Sequence, residues 1–414
     1  MRSIWGRFTA FGSPRAESAV TEIVSAVADA VELAIPSGRY RAFAVIGGYG
    51  RGEGGVEIVE GVEHPHNNLD FLLVLHSDFA HERNAIKQQL DEPLRLLAES
   101  QGIGIDLEIV SDQQLAKAES LVKWYDMRYG HKTILGDREY LPSLTHFRVD
   151  RIPANDVRNL LVNRGTLCLI NSALLEKREL TLEERKTIIK HAIKAIIGYG
   201  DALLYFQGFY HWSYKEKQDR MAERTNVPAG FQALYAEALA FRFQPDYALY
   251  VSRDLTQWMA ALYRRLEPVH LLCEAQRLGH KSLTWSQYAD VAFKHVLVED
   301  LLSAEGLTKK VMRLTGRSSD PLMSDLRTAS PLTRFGCRCG GMQNALPILF
   351  PAVAYDSAEP ADRERARMLL GAYDSTQRNL RRAYLQAWGY HIDTRVPTVL
   401  NRFGVSLAPI EVAA

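Results

Sequence analysis

The chain is 414 residues long and 47% apolar, and its 50 Lys and Arg nearly cancel its 49 Asp and Glu. At roughly 100–200 residues per domain, this length predicts two or three domains. The charge balance excludes a global field that would draw the protein onto nucleic acid or an anionic membrane. The opening residues, MRSIWGRFTAFGSPR, carry three Arg and a Pro but no continuous apolar run, so no secretory signal is expected. Residues 17–34 then place Val20, Ile23, Val24, Val27, Val31 and Ala34 at helical spacing, and Pro36-Ser37-Gly38 stops the pattern. Residues 1–39 thus read as an N-terminal helix leading into a strand.

Residues 41–46 (RAFAVI) run into Gly47, and residues 69–75 (LDFLLVL) make a continuous apolar strand with one carboxylate, Asp70. Both strands read as buried. Residues 82–100 form a helical segment that Pro93 is expected to kink or divide. Gly102 and Gly104 introduce IDLEIV, residues 105–110, in which Ile105, Leu107 and Ile109 point one way and Asp106 and Glu108 the other. Helix, strand, glycine turn, strand, helix and strand together indicate an α/β domain over residues 40–150.

From Ile152 onward a 3.6-residue period takes over, in segments near 155–177, 181–207, 230–243, 254–265, 287–304 and 361–388, with no convincing strand. We expect a helical domain over 151–310 and a loop-rich and helical region over 311–414, its loops concentrated between Thr315 and Ser357. Thr181 and Glu184 match a capping box, and Lys186, Lys190, Lys194 and Asp201 share one face of the helix that follows. The segment YHWSYKEKQDR, residues 210–220, interleaves aromatic and basic side chains; it suits a patch that stacks a base or binds an acidic partner, or an interhelical corner packed by Trp212 and Tyr214. Cys168, Cys273, Cys337 and Cys339 are too irregularly spaced for a disulfide framework, and Cys337 and Cys339 have no second ligand pair nearby to hold zinc. Apolar stretches such as Ala345 to Tyr355 are short against the roughly 20 residues that span a bilayer. A soluble cytoplasmic protein without a membrane partner is expected.

The chemistry concentrates in VIGGYGRGE, residues 45–53. A buried strand that breaks into Gly47-Gly48 lets backbone approach a ligand closely, and its N–H groups can hold phosphate oxygens. Arg51 adds a cation. A carboxylate such as Asp70 in a buried strand is costly unless something pairs with it. If Asp70 and Asp106 face one glycine turn from neighbouring strands, they form a Mg²⁺ site for a nucleoside triphosphate. The plainer alternative pairs Asp70 with Arg51 and leaves Asp106 in solvent at an edge.

GGYGRGE followed by a polar segment and NNLDFLLVL resembles the GG-x-x-RGE … D-x-D-hydrophobic signature of the polymerase-β-like nucleotidyltransferase superfamily, and is especially similar to its version in the bacterial protein-PII uridylyltransferase family. RYGHKTILGDREYL, residues 128–141, looks like the phrase that closes such domains. The resemblance implies an α+β fold, a small mixed-sheet nucleotidyltransferase domain followed by a large all-helical region. It implies that Gly47 and Gly48 lie against the triphosphate with Arg51 beside them. Asp70 is then a metal ligand and Asp106 the third carboxylate, a ligand and possible general base, with Glu108 as its substitute. The resemblance further implies that a lysine of the 181–207 helix touches the triphosphate; Lys190 and Lys194 are the candidates and Lys186 a solvated surface lysine. The implied cofactor is Mg²⁺ or Mn²⁺, with an NTP as substrate and a small molecule or protein, not nucleic acid, as acceptor.

The chain departs from the signature at one position: Asn68 stands where the first carboxylate of the strand belongs, and a neutral amide oxygen is a poorer Mg²⁺ ligand. The long segment after Arg51 carries Glu57, Glu60, Glu63, His64 and His66, of which His66 or Glu63 is a candidate replacement ligand. Two functions follow: a metal-dependent nucleotidyltransferase, or a catalytically degenerate relative that senses nucleotide or binds another protein. A third, an α/β domain whose glycine motif is only a structural turn, requires the turn and both carboxylates to coincide by chance.

Overall fold

The computed structural model describes the backbone of residues 4–302 and 331–407, and the side chains of residues 4–296 and 341–407. The fold is α+β, a small mixed sheet followed by a large helical region, as expected. Two compact units result. The first comprises residues up to Val157 together with Gln207–Thr225 and Ala233–Tyr247; the second comprises Arg158–Phe206, Asn226–Gln232 and the chain from Ala248 onward.

In the first unit six strands form: β1 (Tyr40–Ile46), β2 (Gly55–Val59), β3 (Val62–His66), β4 (Leu69–Leu75), β5 (Ile105–Ser111) and β6 (Lys132–Gly136). Four of them make the main sheet in the order β5-β4-β1-β6, with β1 antiparallel to β4 and β6 and β4 parallel to β5. The parallel step needs a crossover, which the helix Arg83–Gln101 supplies. Strands β1 and β4 are apolar almost throughout because both faces of the sheet are covered. Phe43, Val45, Phe71 and Leu73 pack with Val20, Val24, Val27 and Val31 of the helix Pro14–Ala34; Ala44, Leu72 and Val74 pack on the other face with Trp124 and Phe147.

Local chemistry sets the element ends. Ser13 caps the first helix, Pro14 occupies its first turn, and Glu63 of β3 accepts from the Ser13 amide at 2.9 Å. The helix Arg83–Gln101 runs through Pro93 without division; Pro93 is exposed, so its missing N–H and its ring fall on the solvent side. The segment after Glu53, expected as a polar insertion, is the β2–β3 hairpin. Its two-residue turn is Glu60 (φ 52°) and Gly61 (φ 78°), the left-handed pair that matches strand twist.

All described secondary structure of the second unit is helical. The capping box forms as read: the Thr181 amide donates to Glu184 Oε2 at 2.8 Å and the Glu184 amide to Thr181 Oγ1 at 3.3 Å. Pro331–Ala354 is helical rather than loop, broken at Gly341 (φ 66°, ψ 177°). Pro347 and Pro351 lie inside it, and Met342, Ala345, Leu346, Leu349, Phe350 and Val353 bury one face, which offsets the proline cost. The side chains of Cys337 and Cys339 lie outside the described residues. No helix among the described residues is long and apolar enough to cross a membrane.

A buried cluster in this unit makes its stability pH-dependent. His270 is wholly buried with Nδ1 2.9 Å from the Tyr355 hydroxyl. Burial, helped by Arg277 and opposed by Glu274, pushes its pKa from 6.5 to about 4. A depressed imidazole pKa stabilises the fold fully above the unfolded value of 6.5, and that stability, on the order of 3 kcal/mol, is lost as pH falls towards 4. Urea unfolding between pH 7 and pH 4 is expected to show this slope and His270→Phe to reduce it, His191, whose pKa burial pushes down to about 3, keeping the remainder; equal slopes in the variant and wild type would refute the assignment.

Candidate functional site

β1 ends at Ile46, which pairs with Asp70 of β4, so the next residue, Gly47, comes to rest against the Asp70 carboxylate. Gly47 has φ 68°, and a Cβ there would stand 2.4 Å from Asp70 Oδ2. Both the backbone conformation and the contact demand glycine. Across the parallel step Asp70 is the register partner of Asp106. Paired residues on adjacent strands project from the same face, with strands roughly 4.8 Å apart. Asp70 is half-buried and Asp106 exposed.

Asn67 takes a left-handed turn (φ 70°), a conformation asparagine tolerates, and delivers Asn68 beside the pair. Asn68 Nδ2 donates to Asp106 Oδ2 at 2.6 Å. Glu108, two residues along β5, is held by Lys123 Nζ at 2.9 Å. The two candidate replacement ligands are engaged elsewhere. His66 is buried with Nε2 2.8 Å from the Tyr247 hydroxyl, and Glu63 binds Ser13 at the start of the first helix.

The Arg51 side chain turns inward. It is 6% exposed and pairs with Glu53 at 3.6 Å and Asp126 at 3.4 Å, not with Asp70. Burial alone would lower its pKa, but Tyr214, Asp126 and Glu53 outweigh burial and hold it above the ordinary arginine value. Glu53 in turn caps the helix Tyr214–Ala222: it accepts from Ser213 Oγ at 2.5 Å and from the Tyr214 and Lys215 amides at 2.9 and 3.3 Å. The aromatic-basic segment 210–220 is thereby a packed corner. The Tyr214 ring lies 4.7 Å from the Arg51 guanidinium, 4.5 Å from Lys217 Nζ and 4.3 Å from the Arg242 guanidinium.

The motif reading missed Arg242, on the last turn of the helix Phe231–Phe243. Its Nη2 stands 3.1 Å from where a Gly48 Cβ would be, and its carbonyl oxygen 2.4 Å from where a Gly55 Cβ would be. The glycines after the motif, Gly54-Gly55, were the available signal, since they permit close backbone approach; they do not say of what. Lys190 and Lys194 sit on the helix Leu182–Phe206 of the second unit, Lys190 half-buried and Lys194 exposed.

The donor set bears on the implied metal. Among the described residues no group of three or more His, Cys, Asp and Glu side chains is arranged to hold an ion. Mg²⁺ seldom needs such a cage: it is commonly held by one or two carboxylates with waters and substrate phosphates. Asp70 and Asp106 on one face beside a glycine turn fit an ion that arrives with a nucleotide, with Asn68 as a weak neutral neighbour. Comparison with protein-family models and with curated proteins finds no match to this chain.

Proposed function

We propose that this protein binds a nucleoside triphosphate with Mg²⁺ or Mn²⁺ at the Gly47-Gly48 turn and transfers its nucleoside monophosphate to a small-molecule or protein acceptor. The observation that carries the reading is the register pairing of Asp70 with Asp106 beside Gly47. The resemblance of GGYGRGE and NNLDFLLVL to the nucleotidyltransferase signature supports it independently. In such a site Asp70 and Asp106 hold the ion, which neutralises charge on the phosphates when bound. An acceptor hydroxyl or amine attacks the α-phosphorus, the bond to the β-phosphate oxygen breaks, and pyrophosphate leaves. Asp106, exposed at the open edge of the pair, takes the acceptor's proton.

One observation favours the second reading, a degenerate nucleotide sensor: the Asn68 amide occupies an Asp106 oxygen that a metal would otherwise use. Asn68→Asp separates the two. The substitution replaces a hydrogen-bond donor with a third carboxylate on the same face, so like charges should lower the melting temperature of the metal-free protein. Mg²⁺ or Mn²⁺ with NTP should restore it. A degenerate wild type predicts tighter metal binding and faster pyrophosphate release with candidate acceptors in Asn68→Asp, whereas a wild type whose transfer is already real but narrow predicts that the substitution lowers it. If none of the four NTPs stabilises either protein with either metal in a thermal-shift screen, the nucleotide reading is wrong.

A further inference from the structure

Two consecutive glycines make room for two opposite charges. A side chain on Gly47 would collide with the Asp70 carboxylate, and one on Gly48 would sit 3.1 Å from Arg242 Nη2. The backbone turn is therefore flanked by an acid on one residue and a guanidinium on the next. Arg242 is held there from two sides. Its carbonyl packs on β2 at Gly55, and its guanidinium lies 4.3 Å from the Tyr214 ring, whose helix is fixed by Glu53.

Arg242 also differs from its neighbours in how its charge is balanced. Arg51 is matched by Glu53 and Asp126, whereas among the described residues no carboxylate pairs with Arg242. Its Nε, like that of Arg51, is buried without a hydrogen-bond partner. A half-buried guanidinium left without an anion is an unfavourable arrangement unless an anion arrives. Stacking on Tyr214 and the negative end of its helix offset part of the cost, but neither requires Nη2 at Gly48.

Resting on the nucleotide reading above, we infer that Arg242 binds the phosphate chain of the nucleoside triphosphate, opposite the carboxylates that hold its metal. Phosphate oxygens at Gly47-Gly48 would then lie between a cation on Asp70 and Asp106 and the fork of Arg242. Arginine offers the planar donor pair that phosphate accepts.

The test compares full-length wild type, Arg242→Ala and Arg242→Lys by calorimetry. The probes are the four magnesium NTPs, the matching nucleosides and magnesium tripolyphosphate, each at low and high salt. We expect Arg242→Ala to weaken the NTP that wild type binds by roughly 10- to 100-fold and to reduce its salt dependence. Nucleoside affinity should be unchanged, and Arg242→Lys should recover part of the loss. Unchanged NTP affinity in Arg242→Ala would overturn the inference and leave the nucleotide reading standing. Equal losses of nucleoside and NTP would also overturn it, by making Arg242 structural. Wild type binding tripolyphosphate through Arg242 but no NTP would retain the phosphate site and refute the nucleotide reading; binding of neither would refute both.

Discussion

Asp70→Asn should abolish metal-dependent nucleotide binding while leaving the fold intact. Asn is nearly isosteric with Asp, so the close contact with Gly47 and the register with Asp106 persist. Residues that merely support metal ligands typically cost 10- to 100-fold in affinity when removed, so loss of a direct carboxylate ligand should cost roughly 100-fold or more. Calorimetry of Asp70→Asn with magnesium NTP measures this directly. Equal affinity in the variant and wild type would remove Asp70 from the site and leave the Asp70–Asp106 pairing a matter of sheet register alone. Lys186→Ala, by contrast, should leave nucleotide affinity nearly unchanged.

The second large effect is on stability, and it falls on Glu53. Glu53 and Arg51 are both about 95% buried, and Glu53 also accepts the N-terminal amides of the helix Tyr214–Ala222. Glu53→Ala strands the Arg51 guanidinium with Asp126 alone and uncaps the helix. Breaking a buried pair by removing one partner costs about 3–5 kcal/mol, and a lost cap about 1 kcal/mol. The urea midpoint should fall sharply, whereas Glu99→Ala, which breaks the exposed pair with Arg95, should leave it nearly unchanged. A Glu53→Ala midpoint close to wild type would show that the pair contributes little.

How much of this was legible beforehand depends on the range over which each signal acts. The apolar runs of β1 and β4, the alternation of β5 and the capping box at Thr181 are local patterns, and the structure forms each of them. The β2–β3 hairpin was not legible because its glutamates and histidines look like a solvated insertion. Its turn is specified by Glu60-Gly61, where the left-handed glutamate is not a usual hairpin residue. Within the site, Asp70, Asp106 and Gly47 follow from strand order and period two. The partners of Arg51 were not legible because a motif shows that a cation is present but not which carboxylates will claim it; Glu53 is two residues away, while Asp126 lies on the helix Val122–Tyr129. Arg242 could not be read at all, since its place beside Gly48 is created by packing across nearly two hundred residues of chain.

The discontinuity of the first unit has a consequence during synthesis. Its sheet is encoded before Val157, but Ser213, Tyr214, Arg242 and Tyr247, which cap Glu53, approach Gly48 and hold His66, emerge only after the chain has begun the second unit. At roughly 5–20 residues per second, the sheet waits several seconds on the ribosome with Glu53 and Arg51 lacking these partners. A gene fragment cut at the apparent end of the α/β region would make that waiting state permanent.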